Sequence, residues 1–88
     1  MRHMDQLQSL RAQIDKIDQK IVDALVERMK VVEKIKEYKE SAGEDAYDEK
    51  RAKEVLKTRV TMGGKLSPYF MREIFNLIIK HSEELQRK

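Results

Sequence analysis

The chain has 88 residues, a length that suits one small domain. Its 19 basic and 16 acidic residues give a net charge of +3, and both signs are interleaved along the chain, which argues against a nucleic-acid-binding face. The absence of Cys excludes disulfides and thiolate metal sites and fits the cytoplasm, and no apolar run approaches the roughly 18 residues of a membrane span.

The first predicted element is a long amphipathic helix. The opening MRHM resembles the remnant of an expression tag (residues 1–4), so a single domain over residues 5–88 is predicted. Apolar residues then recur at alternating steps of three and four over about residues 5–41, a length of about 55 Å that predicts a long partner helix. They form an apolar stripe made of Leu7, Leu10, Ile14, Ile17, Ile21, Ala24, Val31, Ile35 and Tyr38.

Arg28 stands where the apolar stripe should contain another hydrophobic residue. In heptads that start with Leu7 at position a, Arg28 falls at a, whereas Arg11 and Lys39 fall at e, beside the stripe. Burying an unpaired charge costs several kcal/mol, so Arg28 needs an anionic partner. Three interpretations of Arg28 are therefore open. It forms an internal salt bridge, it sets the register of a coiled coil, or it binds an anion.

The spacing of these cations limits what they bind together. Arg28 and Lys39 lie within about 20° of one helix face and about 16 Å apart, so both long side chains can hold one small anion. Arg11 is about 25 Å from Arg28 and rotated by about 100°, out of reach of that anion within the same chain. In an antiparallel pair of long helices, however, Arg11 of the partner subunit would approach Arg28, which predicts a composite site.

A second, shorter helix is predicted over about residues 48–62. Ser41–Gly43 end the first helix, and Asp48 is a good N-cap for the second. Asp48 and Arg51 are spaced i, i+3, as in a cap with a local ion pair. The apolar side of this helix consists of Val55, Leu56 and Val60.

Ser67 and Pro68 predict the start of a third helix, over about residues 67–86. Ser82 and Gln86 continue its i, i+4 apolar row, either because the helix end frays toward solvent or because the row faces a polar ligand. The residues predicted to face inward are Phe70, Ile74, Leu77, Ile78 and Leu85. Since no strand signal competes, the sequence predicts an all-α fold of one long, one short and one medium helix.

Three stretches together resemble a known family: LRAQIDKIDQKIVDALVERMKVVEKIKEYK, DEKR and IFNLIIKHSEELQ. The order of LRxxIDxID, Arg28, Lys39, DxxR and SxxxQ is similar to that of the all-helical (AroQ-class) chorismate mutases over residues 7–86. The resemblance implies an intertwined homodimer of three-helix subunits with the long helices paired antiparallel. It also implies conversion of chorismate to prephenate, on the route to phenylalanine and tyrosine, without cofactor or metal.

The resemblance implies that Lys39, Gln86 and Arg28 carry the catalysis. Lys39 and Gln86 look like the donors to the ether oxygen of the substrate, where negative charge grows as the C–O bond breaks. Arg28 looks like one half of a carboxylate-binding pair. Because the rearrangement is unimolecular, the protein supplies confinement and electrostatic stabilisation rather than a nucleophile or base.

The other implied substrate-binding residues are Arg11, Arg51, Ser82 and Asp48. Arg11 of the partner subunit is the other half of the carboxylate-binding pair, Arg51 and Ser82 hold carboxylate, and Asp48 recognises the ring hydroxyl. The family usually reads DxxRE, but this chain reads DEKRA, with Ala52 in place of the Glu that contacts the hydroxyl. Loss of that acceptor predicts a cost of about 1–3 kcal/mol in binding or rate.

Alternative functions follow from the same features. Isochorismate-pyruvate lyases share the fold and lack that Glu, although SxxxQ and the loop between Lys39 and Asp48 are more similar to a mutase. A regulatory mutase domain that works with, or is excised from, a shikimate-pathway enzyme is a further alternative, as is a helical dimer without activity. No nucleic-acid or membrane partner is expected.

Overall fold

The computed structural model describes residues 2–45 and 47–87, with side chains from residue 5 onward. In this part of the chain it contains three helices, α1 (Arg2–Ser41), α2 (Glu49–Met62) and α3 (Pro68–Arg87), and no strand. The predicted all-α organisation of one long, one short and one medium helix is therefore confirmed. None of these helices is both long enough and apolar enough to cross a membrane.

The chain divides into two compact units, one ending at Lys30 and the other beginning at Val31. The first unit consists of the N-terminal part of α1. Among its described side chains, residues 5–30, Leu25, Arg28 and Met29 are half-buried and all others are exposed. This unit therefore has an amphipathic sequence but no core of its own.

The apolar stripe is exposed in both units. Its large residues expose between 42% and 67% of their surface, which is what a helix face without a covering surface shows. These residues are Leu7, Leu10, Ile14, Ile17, Ile21, Val31, Ile35 and Tyr38.

A Schellman motif ends α1. Gly43 adopts a left-handed conformation (φ 74°), and its N–H donates to the Glu40 carbonyl at 3.1 Å. The Glu44 N–H donates to the Lys39 carbonyl at 2.8 Å. Glycine tolerates this φ because it has no Cβ, so the predicted stop at Ser41–Gly43 has a local chemical cause.

The core of the second unit lies where α2 packs against α3. Val55 is 5% exposed, and the other residues predicted to face inward from α2, Leu56 and Val60, are half-buried. On α3 the prediction is correct for the half-buried Ile74, Ile78 and Leu85.

Two residues of α3 do not face inward as predicted. Phe70 is 50% exposed and Leu77 is 69% exposed. They are spaced i, i+7 and lie on one face of α3. The apolar surface of α3 is thus wider than the 14-residue α2 covers.

The turn between α2 and α3 depends on close packing at Gly63. A Cβ at Gly63 would lie 2.5 Å from Met71 Cγ, so with a larger residue here the Met71 side chain would have to shift. The Ser67 hydroxyl then accepts the Phe70 N–H at 3.3 Å, and Pro68 occupies the first helical position. These contacts confirm the predicted start of α3.

Candidate functional site

Lys39 is half-buried in the last turn of α1. Its carbonyl is held by the Schellman motif, so the backbone that carries the ammonium is fixed where the helix ends. The nearby carboxylate of Glu40 lies 3.9 Å from Lys36 Nζ. The backbone of Lys39 is therefore fixed at a defined helix end.

Asp48 caps α2, as predicted. It has an extended conformation (φ −118°, ψ 102°), and its Oδ1 accepts the Arg51 N–H at 3.0 Å. The predicted ion pair between these two side chains is wrong, because Arg51 Nη1 instead lies 2.7 Å from Glu54 Oε1. Both side chains of that pair are more than half exposed, so the pair contributes within about 1 kcal/mol.

Ala52 is half-buried in the first turn of α2, where its methyl group offers no hydrogen-bond acceptor. Of the neighbouring carboxylates, Glu54 is engaged with Arg51. Glu49 lies 4.0 Å from Lys53, with a side chain that is 76% exposed. Both carboxylates therefore contact basic side chains of α2.

The polar continuation of the α3 row does not fray into solvent. Ser82 is only 7% exposed, and Gln86 is half-buried. The Ser82 hydroxyl donates to the Ile78 carbonyl at 2.8 Å, a bond that satisfies the buried Oγ within its own helix. The fraying interpretation is therefore wrong, and the row places two polar side chains against the interior of the second unit.

A cleft of about 340 Å³ lies beside Gln86 and is lined by Asp45, Tyr47, Gln86 and Arg87. The Arg87 guanidinium carbon lies over the Tyr47 ring, 4.9 Å from its centroid. Burial raises the pKa of the Tyr47 hydroxyl, and the negative charge of Glu83 adds to the shift. The cleft thus lies between the loop before α2 and the end of α3.

Sequence reasoning missed Tyr47, Glu83 and Arg87. The i, i+4 spacing of Glu83 and Arg87 is a recognisable ion-pair signal, and their atoms Oε2 and Nε do lie 2.8 Å apart. Nothing local connects either residue with Tyr47, which is 40 positions from Arg87 in sequence.

Arg11 and Arg28 belong to the first unit. Arg11 is exposed, whereas Arg28 is half-buried although it lies on a helix whose neighbouring stripe residues are exposed. Their predicted approach across two subunits stays a prediction. Within the part of the chain that the structure describes, no group of three His, Asp or Glu side chains is placed to hold a metal ion.

The three helices and the exposed apolar stripe define an all-helical protein, in which Arg28, Lys39 and Gln86 are each half-buried. The chain belongs to the chorismate mutase type II family, whose model matches residues 10–87. It is accordingly an isomerase that rearranges chorismate to prephenate. No curated protein and no solved structure matches the chain significantly.

Proposed function

We propose that the protein converts chorismate to prephenate in two equivalent composite sites of a homodimer built along α1. The observation that carries this proposal is the exposed apolar stripe of α1 with the half-buried Arg28 within it. A second copy that covers the stripe would bury the apolar surface of both chains. The same association would surround Arg28 with low-dielectric walls, in which a dianionic substrate supplies the opposite charge.

The carboxylates of the substrate would be bound by cations from both subunits. Arg28 and the partner subunit's Arg11 offer planar guanidinium forks that match carboxylates. Arg51 would have to exchange Glu54 for the substrate, which is feasible because that ion pair is exposed. Ser82 would turn its O–H from the Ile78 carbonyl toward a carboxylate oxygen.

Lys39 and Gln86 would act on the ether oxygen. Negative charge grows there as the C–O bond breaks, so donors fixed in place stabilise the transition state more than the ground state. The Lys39 backbone is held by the Schellman motif, and Gln86 needs no protonation to donate. Asp48 accepts one N–H through Oδ1 and keeps acceptor capacity for the ring hydroxyl.

An assay of chorismate consumption with identification of the products tests the proposed reaction. Prephenate as the product, together with a molar mass of two chains in light scattering, is the expected result. Isochorismate offered in parallel gives salicylate and pyruvate only if the chain works as a lyase. A folded dimer that consumes neither substrate would contradict the enzymatic proposal.

A further inference from the structure

One contact joins the two segments that carry Asp48 and Gln86. The Arg87 guanidinium lies over the Tyr47 ring at 4.9 Å from the centroid. Tyr47 directly precedes Asp48, and Arg87 directly follows Gln86. The contact therefore bridges the loop before α2 and the last turn of α3, one residue away from a predicted site residue on each side.

Several interactions hold the Arg87 side chain in this position. Its Nε donates to Glu83 Oε2 at 2.8 Å, one turn earlier on α3. The Glu83 side chain is 35% exposed and the Arg87 side chain 63% exposed, so solvent partly screens this ion pair. A guanidinium over an aromatic ring gains a cation–π attraction, and a cation in the last turn also interacts favourably with the helix dipole.

The Tyr47 ring offers Arg87 a neutral, half-buried platform. Burial raises the pKa of its hydroxyl above the ordinary 10.0, and Glu83 and Glu49 raise it further, whereas Arg87 opposes the shift. The phenol thus remains protonated at neutral pH. Its face keeps the electron density that attracts the guanidinium.

Gln86 is half-buried near the C-terminal end of its helix. It lies in the last turn of α3, where carbonyl groups lack intrahelical partners and where helices open most easily. A donor stabilises a transition state effectively only if it is already in place before the reaction.

We propose that Arg87 is a positioning residue, which fastens the last turn of α3 to the loop before α2 through Tyr47 and Glu83 and thereby holds Gln86 in place. This inference rests on the proposed role of Gln86 as a donor. It gives Arg87 no contact with the substrate.

Steady-state kinetics of variants of the 88-residue chain test the inference. Arg87→Ala and Tyr47→Leu should each lower kcat about three- to tenfold while KM changes less than about twofold. A mobile donor stabilises the transition state less well, and this loss exceeds any loss in substrate binding. Arg87→Lys and Tyr47→Phe keep the cation and the ring, and both should retain most of the wild-type kcat. Arg72→Ala removes another exposed arginine of α3 and serves as the matched control.

Double variants separate positioning from a general weakening of the protein. Arg87→Ala combined with Tyr47→Leu should be no slower than either single variant, since both remove one contact. Losses that multiply, or an Arg87→Ala kcat within about twofold of the wild type, overturn the inference. Circular dichroism and Tm accompany each variant, and if Arg87→Ala does not fold, Tyr47→Leu measured against Tyr47→Phe decides in the same way.

Gln86→Ala distinguishes failure of this inference from failure of the site assignment. In a Gln86→Ala background, Arg87→Ala should cost no further activity. If Gln86→Ala is slow while Arg87→Ala matches the wild type, only the positioning role is wrong. If Gln86→Ala matches the wild type, the assignment of Gln86 as a donor fails, and the role of Arg87 fails with it.

Discussion

The first unit, up to Lys30, and the second, from Val31, have similar amphipathic sequences but different packing. None of the described side chains from residue 5 to residue 30 is fully buried, whereas Val55 and Ser82 are buried in the second unit. The helical period thus predicts helix equally well in both units. It does not tell whether the surface that covers the apolar face belongs to the same chain.

The unburied surface of the first unit is large enough to matter energetically. Fully burying a Leu, Ile or Val side chain contributes about 1.5–3 kcal/mol, so a half-exposed one leaves roughly 1 kcal/mol unrealised. Summed over the unit, this approaches the whole stability of a small domain, so folding and association should be coupled. The residues concerned are Leu7, Leu10, Ile14, Ile17, Ile21, Val22 and Val26.

A charge within the apolar stripe is the most direct way to disrupt the first unit. Ile17→Glu should abolish the dimer and lower mutase activity by more than about 100-fold at micromolar concentration, because two carboxylates would be buried without partners. Light scattering and circular dichroism against protein concentration measure the effect. Ala12→Glu adds the same charge at an exposed position of heptad site f and should behave like the wild type. A dimeric, active Ile17→Glu protein would show that the stripe is not the interface.

Removal of the Lys39 ammonium should abolish the chemistry and leave both units folded. Lys39→Ala is expected to lower kcat/KM by about 10²–10³, since it removes a donor that acts mainly in the transition state. Lys30→Ala, at an exposed position of the same helix, is the matched control. A Lys39→Ala value within about tenfold of the wild type would contradict the assignment.

Ala52 stands where the family motif is expected to have Glu, and a substitution there should increase activity. Ala52→Glu restores an acceptor for the ring hydroxyl and should raise kcat/KM by about tenfold, within the range of one buried hydrogen bond. Ala52→Leu adds bulk without an acceptor and should not raise it. Equal effects of the two substitutions on kcat/KM would show that the missing Glu has no role here.

The smallest expected effect concerns Arg51. Glu54→Gln removes the carboxylate that holds its guanidinium at 2.7 Å, so KM for chorismate should fall by about two- to threefold. Glu49→Gln breaks the comparable contact with Lys53, at 4.0 Å, without involving a predicted site residue. If both substitutions shift KM alike, the cause is the net charge of the chain rather than release of Arg51.

The sequence predicted best the features that have local causes. Gly43 ends α1, Asp48 caps α2, and Ser67 with Pro68 starts α3, because each depends on the chemistry of a few neighbouring residues. Val55 is likewise buried where its period predicts.

Features that depend on distant parts of the chain were not predicted. The helical period of α3 predicts that Phe70 and Leu77 face inward, but both are exposed. The sequence of α3 does not tell how much of its apolar surface α2 covers. The stacking of Arg87 on Tyr47 joins residues that only tertiary structure brings together. The helical period of the candidate site was readable from sequence, whereas the contacts that hold its side chains were not.

The central claim is that each active site takes residues from two chains, and complementation of two inactive variants tests it most directly. Arg11→Ala and Lys39→Ala are each assayed alone and after mixed refolding at equal concentration. If Arg11 acts across the interface, half of the dimers are mixed and each mixed dimer holds one intact site, which gives about one quarter of the wild-type activity. A mixture no more active than its two components would contradict the composite site.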